Sequence, residues 1–253
     1  MTTPLPVSPA RPTRRRIVER AVVVVVLLVG VGFVLRAHPV DAGLARALNS
    51  LHVGVLGAVG SAVYTLFEPV PAVLLTVVLT GLVWARTRRL VTAAAFAGVV
   101  ALTWIPSDLL KVVVGRPRPD GSLLPHPFVP VQPDASFPSG HTVFVVALVL
   151  AGLMLVPAGP RRRVLAVLGG VVVLVVATAL AVDGVHWPTD VVASVAWALA
   201  VAPVARIVWV DLVLTRVVQR GAARVERFRT PDERAAVVGE QTGRHRADEE
   251  DAS

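Results

Sequence analysis

The chain has no cysteine, one tyrosine and two methionines among its 253 residues. Without cysteine there is no disulfide framework, no thiol nucleophile and no thiolate metal site, and the redox compartment cannot be read. Charged residues make up only 17% of the chain and aromatics 5%. The cations that give the net charge of +8 lie in clusters rather than along a face interleaved with aromatics. That pattern argues against a nucleic-acid partner. What fills the space is apolar: 55% hydrophobic residues and a mean hydropathy of +0.70. Both exceed what a soluble globular domain carries, so the chain reads as an integral membrane protein.

Six apolar runs are long enough to be helical spans: 21–35, 71–85, 90–110, 141–156, 164–182, and one from Pro188 to about residue 210. The first lacks a small-x-small cleavage site, so it reads as a retained span rather than a signal peptide. In the mixed stretch 36–68, Leu44, Ala47, Leu48, Leu51, Val55 and Leu56 fall near helical spacing. They predict an amphipathic helix on the outer surface. Residues 1–20 and 216–253 are expected to be disordered tails, leaving 21–215 as the membrane domain. Six spans put both termini on one side, and the arginines at 14–16, 86–89 and 161–163 fall on that same side. The positive-inside rule makes it cytoplasmic. The expected fold class is therefore all-α: a bundle of six transmembrane helices with an interfacial amphipathic helix and an outer loop that carries the site.

Three polar islands interrupt the apolar sequence on the predicted outer side. The first carries Lys111, Arg116 and Arg118, the second runs Pro138, Ser139, Gly140, His141, and the third carries His186 and Asp190. Cations kept on the side that the topology rule disfavours point to function. Arg offers a bidentate fork to phosphate oxygens and Lys a point charge. Ser139 adds a hydroxyl, and Gly140 a backbone N–H at a positive helix end. His141 and His186 are the groups here that can exchange protons near neutrality. Asp190, four residues after His186, is expected one helical turn away, holding an imidazole N–H and leaving the other ring nitrogen free to attack. Read together, His186 attacks phosphorus, and His141 protonates the leaving oxygen and then activates water. His186 and Asp190 as metal ligands lack a third ligand at suitable spacing, so no metal and no cofactor is expected. Trp187 is read as an interfacial anchor that also walls the pocket.

Lys-x6-Arg-Pro, Pro-Ser-Gly-His and His-x3-Asp resemble the three signature motifs of the type 2 phosphatidic acid phosphatase (PAP2) superfamily, its membrane lipid phosphatase branch. The resemblance covers roughly 43–210. It implies a six-helix membrane fold, metal-independent hydrolysis of a lipid phosphate or polyprenyl pyrophosphate, and a site at the outer face of the plasma membrane. It also implies roles: Lys111, Arg118, Ser139 and Gly140 bind phosphate, His141 is the acid, His186 the nucleophile and Asp190 its orienter. One departure stands out. The family usually has an arginine six residues before the nucleophilic histidine, where this chain has Leu180. Arg116 either takes over that cation's role or pairs with Asp183. The departure also leaves a second reading, a weakly active or non-catalytic protein that binds lipid phosphates.

Overall fold

A computed structural model describes residues 12–228; the regular structure among them is all helix, with no strand. The helices are α1 (Arg14–Ala37), α2 (Ala42–Asn49), α3 (Gly54–Leu66), α4 (Pro69–Thr87), α5 (Leu90–Trp104), α6 (Ser107–Val114), α7 (Gly140–Met154), α8 (Pro160–Val182), α9 (Pro188–Arg206) and α10 (Thr215–Phe228). Residues up to Val210 form one compact unit, and a second unit begins at Asp211 and contains α10. Among the described residues, five helical segments are long and apolar enough to cross a membrane: α1, α4, α5 with α6, α8, and the one that begins at Pro188. The chain is a multi-pass membrane protein.

Two expectations change. Arginines 14–16 and 20 belong to α1 and residues 216–228 to α10, so neither stretch is a disordered tail; residues 1–11 and 229–253 lie outside the described region. The helix expected across 44–56 is broken into α2 and α3, which are bent by 116°. The break spans residues 50–53: Val53 is extended at φ −134° and ψ 149°, and Gly54, which opens α3, has a left-handed φ of +52°. The physical cause of the break is that a helix cannot propagate through such residues.

The fourth expected span, α7, has only 15 residues, yet it is the centre of the first unit. It packs against α5, α8 and α9 and is buried on all sides through its first two turns. Val143 and Val146 face a core with Leu35, Leu110, Val114, Phe137 and Trp197. Phe144 and Ala147 face a second core with Tyr64, Phe96, Val100, Val176 and Leu180. The long helices α1, α4 and α8 instead show apolar residues outward, among them Val26, Leu27, Val78, Leu82, Val167 and Leu168. That surface suits lipid rather than water.

Connectivity sorts the two ends of the unit. The α8 helix is about 34 Å long at its 1.5 Å rise per residue, and it runs from Arg161, Arg162 and Arg163 to Val182. The α1 helix starts at its own arginines, and near its far end Arg36 donates to the Val114 carbonyl at 2.9 Å. The basic clusters thus stand at one end, and the close of α6, the start of α7 and the α8–α9 turn at the other.

Phe144 is fully buried, with ring centroids 4.8 Å from Trp104 and 6.1 Å from Phe67. Phe144→Ala should cost about 3–5 kcal/mol, because the cavity has rings on two sides that cannot collapse inward. Phe144→Leu should cost less than half of that. Unfolding of the detergent-solubilised protein, followed by tryptophan fluorescence, measures both.

Candidate functional site

The local sequence explains how each side chain reaches the site. Gly115 closes α6 at φ +60°, the left-handed cap that glycine adopts most cheaply. The chain turns there, so Lys111 stays in the last helical turn and Arg116 enters the interior. Pro117 and Pro119 keep the next residues out of helix. Ser139 caps α7, its hydroxyl oxygen accepting from the Thr142 hydroxyl at 3.2 Å and the Thr142 N–H at 3.4 Å. Lys111 Nζ lies 3.8 Å from where a Cβ on Gly140 would stand, which brings the first island onto the second.

His186 is fully buried in the α8–α9 turn. Its Nδ1 lies 2.9 Å from the Ser136 carbonyl oxygen. A carbonyl only accepts, so Nδ1 carries the proton and Nε2 the lone pair. That Nε2 is 3.3 Å from Arg118 Nη1, which also donates to the Val185 carbonyl at 2.6 Å. Burial first, then the charges of Arg118 and Lys111, hold the His186 pKa well below the usual histidine range, so the ring stays neutral. The His141 ring lies 6.2 Å from His186 and 4.5 Å from Tyr64, centroid to centroid. Its Nε2 is buried without a hydrogen-bond partner.

Asp190 does not hold the His186 proton: its Oδ2 is 3.7 Å from Nδ1, beyond hydrogen-bond range. The reason is local. Asp190 is the third residue of α9, and Oδ2 turns back to accept the Trp187 N–H at 3.0 Å. Oδ1 accepts from Arg116 Nη1 at 2.5 Å. Arg116 in turn takes neither of its expected roles. It is 1% exposed, and its Nη2 donates to Asp41 at 2.8 Å. Asp41 also accepts from the Thr189 N–H and hydroxyl. Burial works to raise the Asp41 pKa, but the Thr189 hydrogen bonds and the Arg116 charge outweigh it and leave it lowered. Trp187 lies inside, 8% exposed, donating to the Pro117 carbonyl at 2.8 Å with Arg116 over its ring. It walls the site and is no surface anchor.

Asp183 turns instead to His52, with Oδ1 at 3.3 Å from Nε2. Leu180, where the family has its arginine, is wholly buried in the apolar core beside Phe144. Sequence reasoning missed Asp41, Asp134, Tyr64 and the Ser136 carbonyl. Asp41 had a signal, as the only acidic residue between Glu19 and Glu68. A main-chain carbonyl leaves none.

The PAP2 superfamily model matches residues 89–213, a stretch that contains all three islands. The chain belongs to the PAP2 superfamily. A crystal structure of the first transmembrane PAP2 type phosphatidylglycerolphosphate phosphatase, from Bacillus subtilis, is similar to it in fold. The TM-score is 0.63 at 18% identity, over 74% of this chain and 94% of that one. No curated protein sequence matches the chain. Among the described residues of this PAP2 member, no three His, Asp or Glu side chains are grouped to hold a metal ion.

The Asp183 carboxyl is fully buried, and neither of its oxygens has a hydrogen-bond partner. Burial pushes its pKa up to about 6, with His52 opposing. A carboxyl raised in this way stabilises the fold while protonated, and that contribution fades as pH rises towards 6. Asp183→Asn should therefore raise the melting temperature at pH 8 and leave it unchanged at pH 4. Thermal unfolding at the two pH values checks this.

Proposed function

We propose that this PAP2 member is a membrane phosphatase that hydrolyses a lipid phosphate or polyprenyl pyrophosphate through a phosphohistidine. One observation carries the reading. The lone pair of a neutral, buried His186 sits beside the Arg118 guanidinium, and the unpartnered Nε2 of His141 lies across from it. Family membership supports the phosphatase class.

In the first half-reaction His186 Nε2 attacks phosphorus and the P–O bond to the lipid breaks. His141 Nε2, bearing a proton, gives it to the departing oxygen. Lys111 and Arg118, with the Gly140 N–H and the Ser139 hydroxyl proton, meet the charge on the equatorial oxygens. The Ser136 carbonyl keeps Nδ1 protonated while that nitrogen shares the positive charge of the adduct. In the second half-reaction a water gives its proton to His141 and its oxygen to phosphorus, releasing phosphate and restoring Nε2. Asp190 acts one step further back: it holds Arg116 and the start of α9, and with them the turn that carries His186. An apolar groove of about 330 Å³ between α3 and α8, lined by Leu56, Val59, Val63, Leu174 and Val175, is of the kind a lipid chain fills. The basic end of the unit is the cytoplasmic one, and the site opens at the outer face of the plasma membrane.

His186→Ala should abolish phosphate release from a panel of lipid phosphates, because His186 Nε2 is the nucleophile of the proposed reaction. His141→Ala should slow it about 10²–10⁴-fold, most for poor leaving groups. EDTA should leave the rate unchanged, and a rate lost in EDTA and restored by a divalent ion would refute the mechanism. Orientation has its own test, since the chain has no native cysteine. In intact cells a membrane-impermeant maleimide should label Ser122→Cys and not Ala158→Cys.

A further inference from the structure

The seat offered by Lys111 and Arg118 already holds an anion of the chain itself. One oxygen of Asp134 lies 2.6 Å from Lys111 Nζ. The other lies 2.7 Å from Arg118 Nη2 and 3.2 Å from Arg118 Nε, and the Asp134 backbone carbonyl accepts from the same Nε at 3.1 Å. One oxygen on each cation is how two oxygens of a phosphoryl group would be met. We propose that Asp134 is a tethered competitor for phosphate, and that substrate enters and product leaves by exchange with its carboxylate. This rests on the reading of Lys111 and Arg118 as phosphate ligands.

Three observations distinguish Asp134 from the site's other acids. The first is exposure: its side chain is 49% exposed, while those of Lys111 and Arg118 are 14% and 10%. The anion can swing outward while the cations stay. Asp41 and Asp190, by contrast, are 6% and 0% exposed and bind a buried guanidinium. The second is the backbone. Asp134 lies in a segment without helix or strand between Leu123 and Gly140, where displacement breaks no ladder of hydrogen bonds. The third is the cleft. A cavity of about 650 Å³ formed by the 115–135 loop is lined by Arg118 and Asp134 but by neither His141 nor His186, so the Arg118–Asp134 half of the bridge is part of its wall.

Charge gives the exchange its direction. Lys111 and Arg118 carry two positive charges, and a carboxylate cancels one of them. A phosphomonoester dianion cancels both. Burial works to raise the Asp134 pKa, yet the hydrogen bond and charge of Lys111 and then Arg118 pull it down to about 2. The competitor is therefore ionised at any pH at which an assay runs. A tethered group acts at an effective concentration on the order of millimolar. If the bridge is closed nine-tenths of the time, every phosphate binds about tenfold more weakly than to the open seat. A lipid phosphate concentrated in the bilayer tolerates that factor. Free phosphate, the product, is expelled by it.

The test is direct binding of inorganic phosphate and of orthovanadate to purified protein by titration calorimetry, beside turnover of phosphatidic acid in the same preparation. Asp134→Asn should bind both anions about tenfold more tightly than the native protein, with KM lowered by a similar factor. Asp134→Ser should do the same, and Asp134→Glu should stay near native. A folded Asn or Ser variant that binds phosphate no more tightly, from a preparation whose native protein turns over, overturns the competitor and leaves the phosphatase reading standing. Tighter phosphate binding without turnover in the native protein supports the competitor and overturns the phosphatase reading. Phosphate binding by none of the four proteins, with no turnover by the native one, overturns both.

Discussion

A guanidinium that is 1% exposed stays in a protein only if its charge is met, and Arg116 is met twice. Asp41 and Asp190 each take one of its terminal nitrogens, and the Thr189 hydroxyl accepts from Arg116 and donates to Asp41. These four residues come from the α1–α2 link, the turn after α6 and the first turn of α9. Remove one partner and a buried charge is left uncompensated, an outcome that typically costs about 3–5 kcal/mol. The network therefore pins the three segments that surround His186. The histidine needs no carboxylate of its own, because the turn that carries it is already fixed and the Ser136 carbonyl sets its tautomer.

Charge in the site forms two layers. The inner one, Arg116 with Asp41 and Asp190, is closed and carries one net negative charge behind His186. The outer one, Lys111 and Arg118 with Asp134, faces the cleft and carries one net positive charge. The inner layer holds shape, and the outer one is the part that the proposed reaction uses to meet phosphate. That division accounts for Leu180. It lies in the apolar core, so a charge at that position would have no partner and no water.

Much of this was legible in the chain. Apolar runs without cysteine or scattered charge can only be membrane helices, because hydrocarbon demands that backbone groups be satisfied within the segment. The three islands brought forward Lys111, Arg118, Ser139, Gly140, His141 and His186 as candidates, since their residue types and spacing are those that phosphate chemistry would use, without reference to any other part of the fold. The starts of α7 and α9 were readable too, from Gly140 at a positive helix end and Pro188 at a first turn.

What the tertiary structure alone decided is which partner each charge takes. Arg116 had Asp183 as its candidate partner along the sequence, and its partners proved to be Asp190 and Asp41, the latter 75 residues away. Asp190 has the right spacing to orient His186, but its lone pairs were claimed first by the Trp187 N–H and by Arg116. Asp134 sits in a proline-rich loop that no periodicity describes, and only the folded loop sets it on the two cations. Local spacing determines elements and motifs because their contacts are a turn or less apart. Ion pairing is a competition among all the charges that the fold gathers into one place, and a linear pattern does not contain that distance.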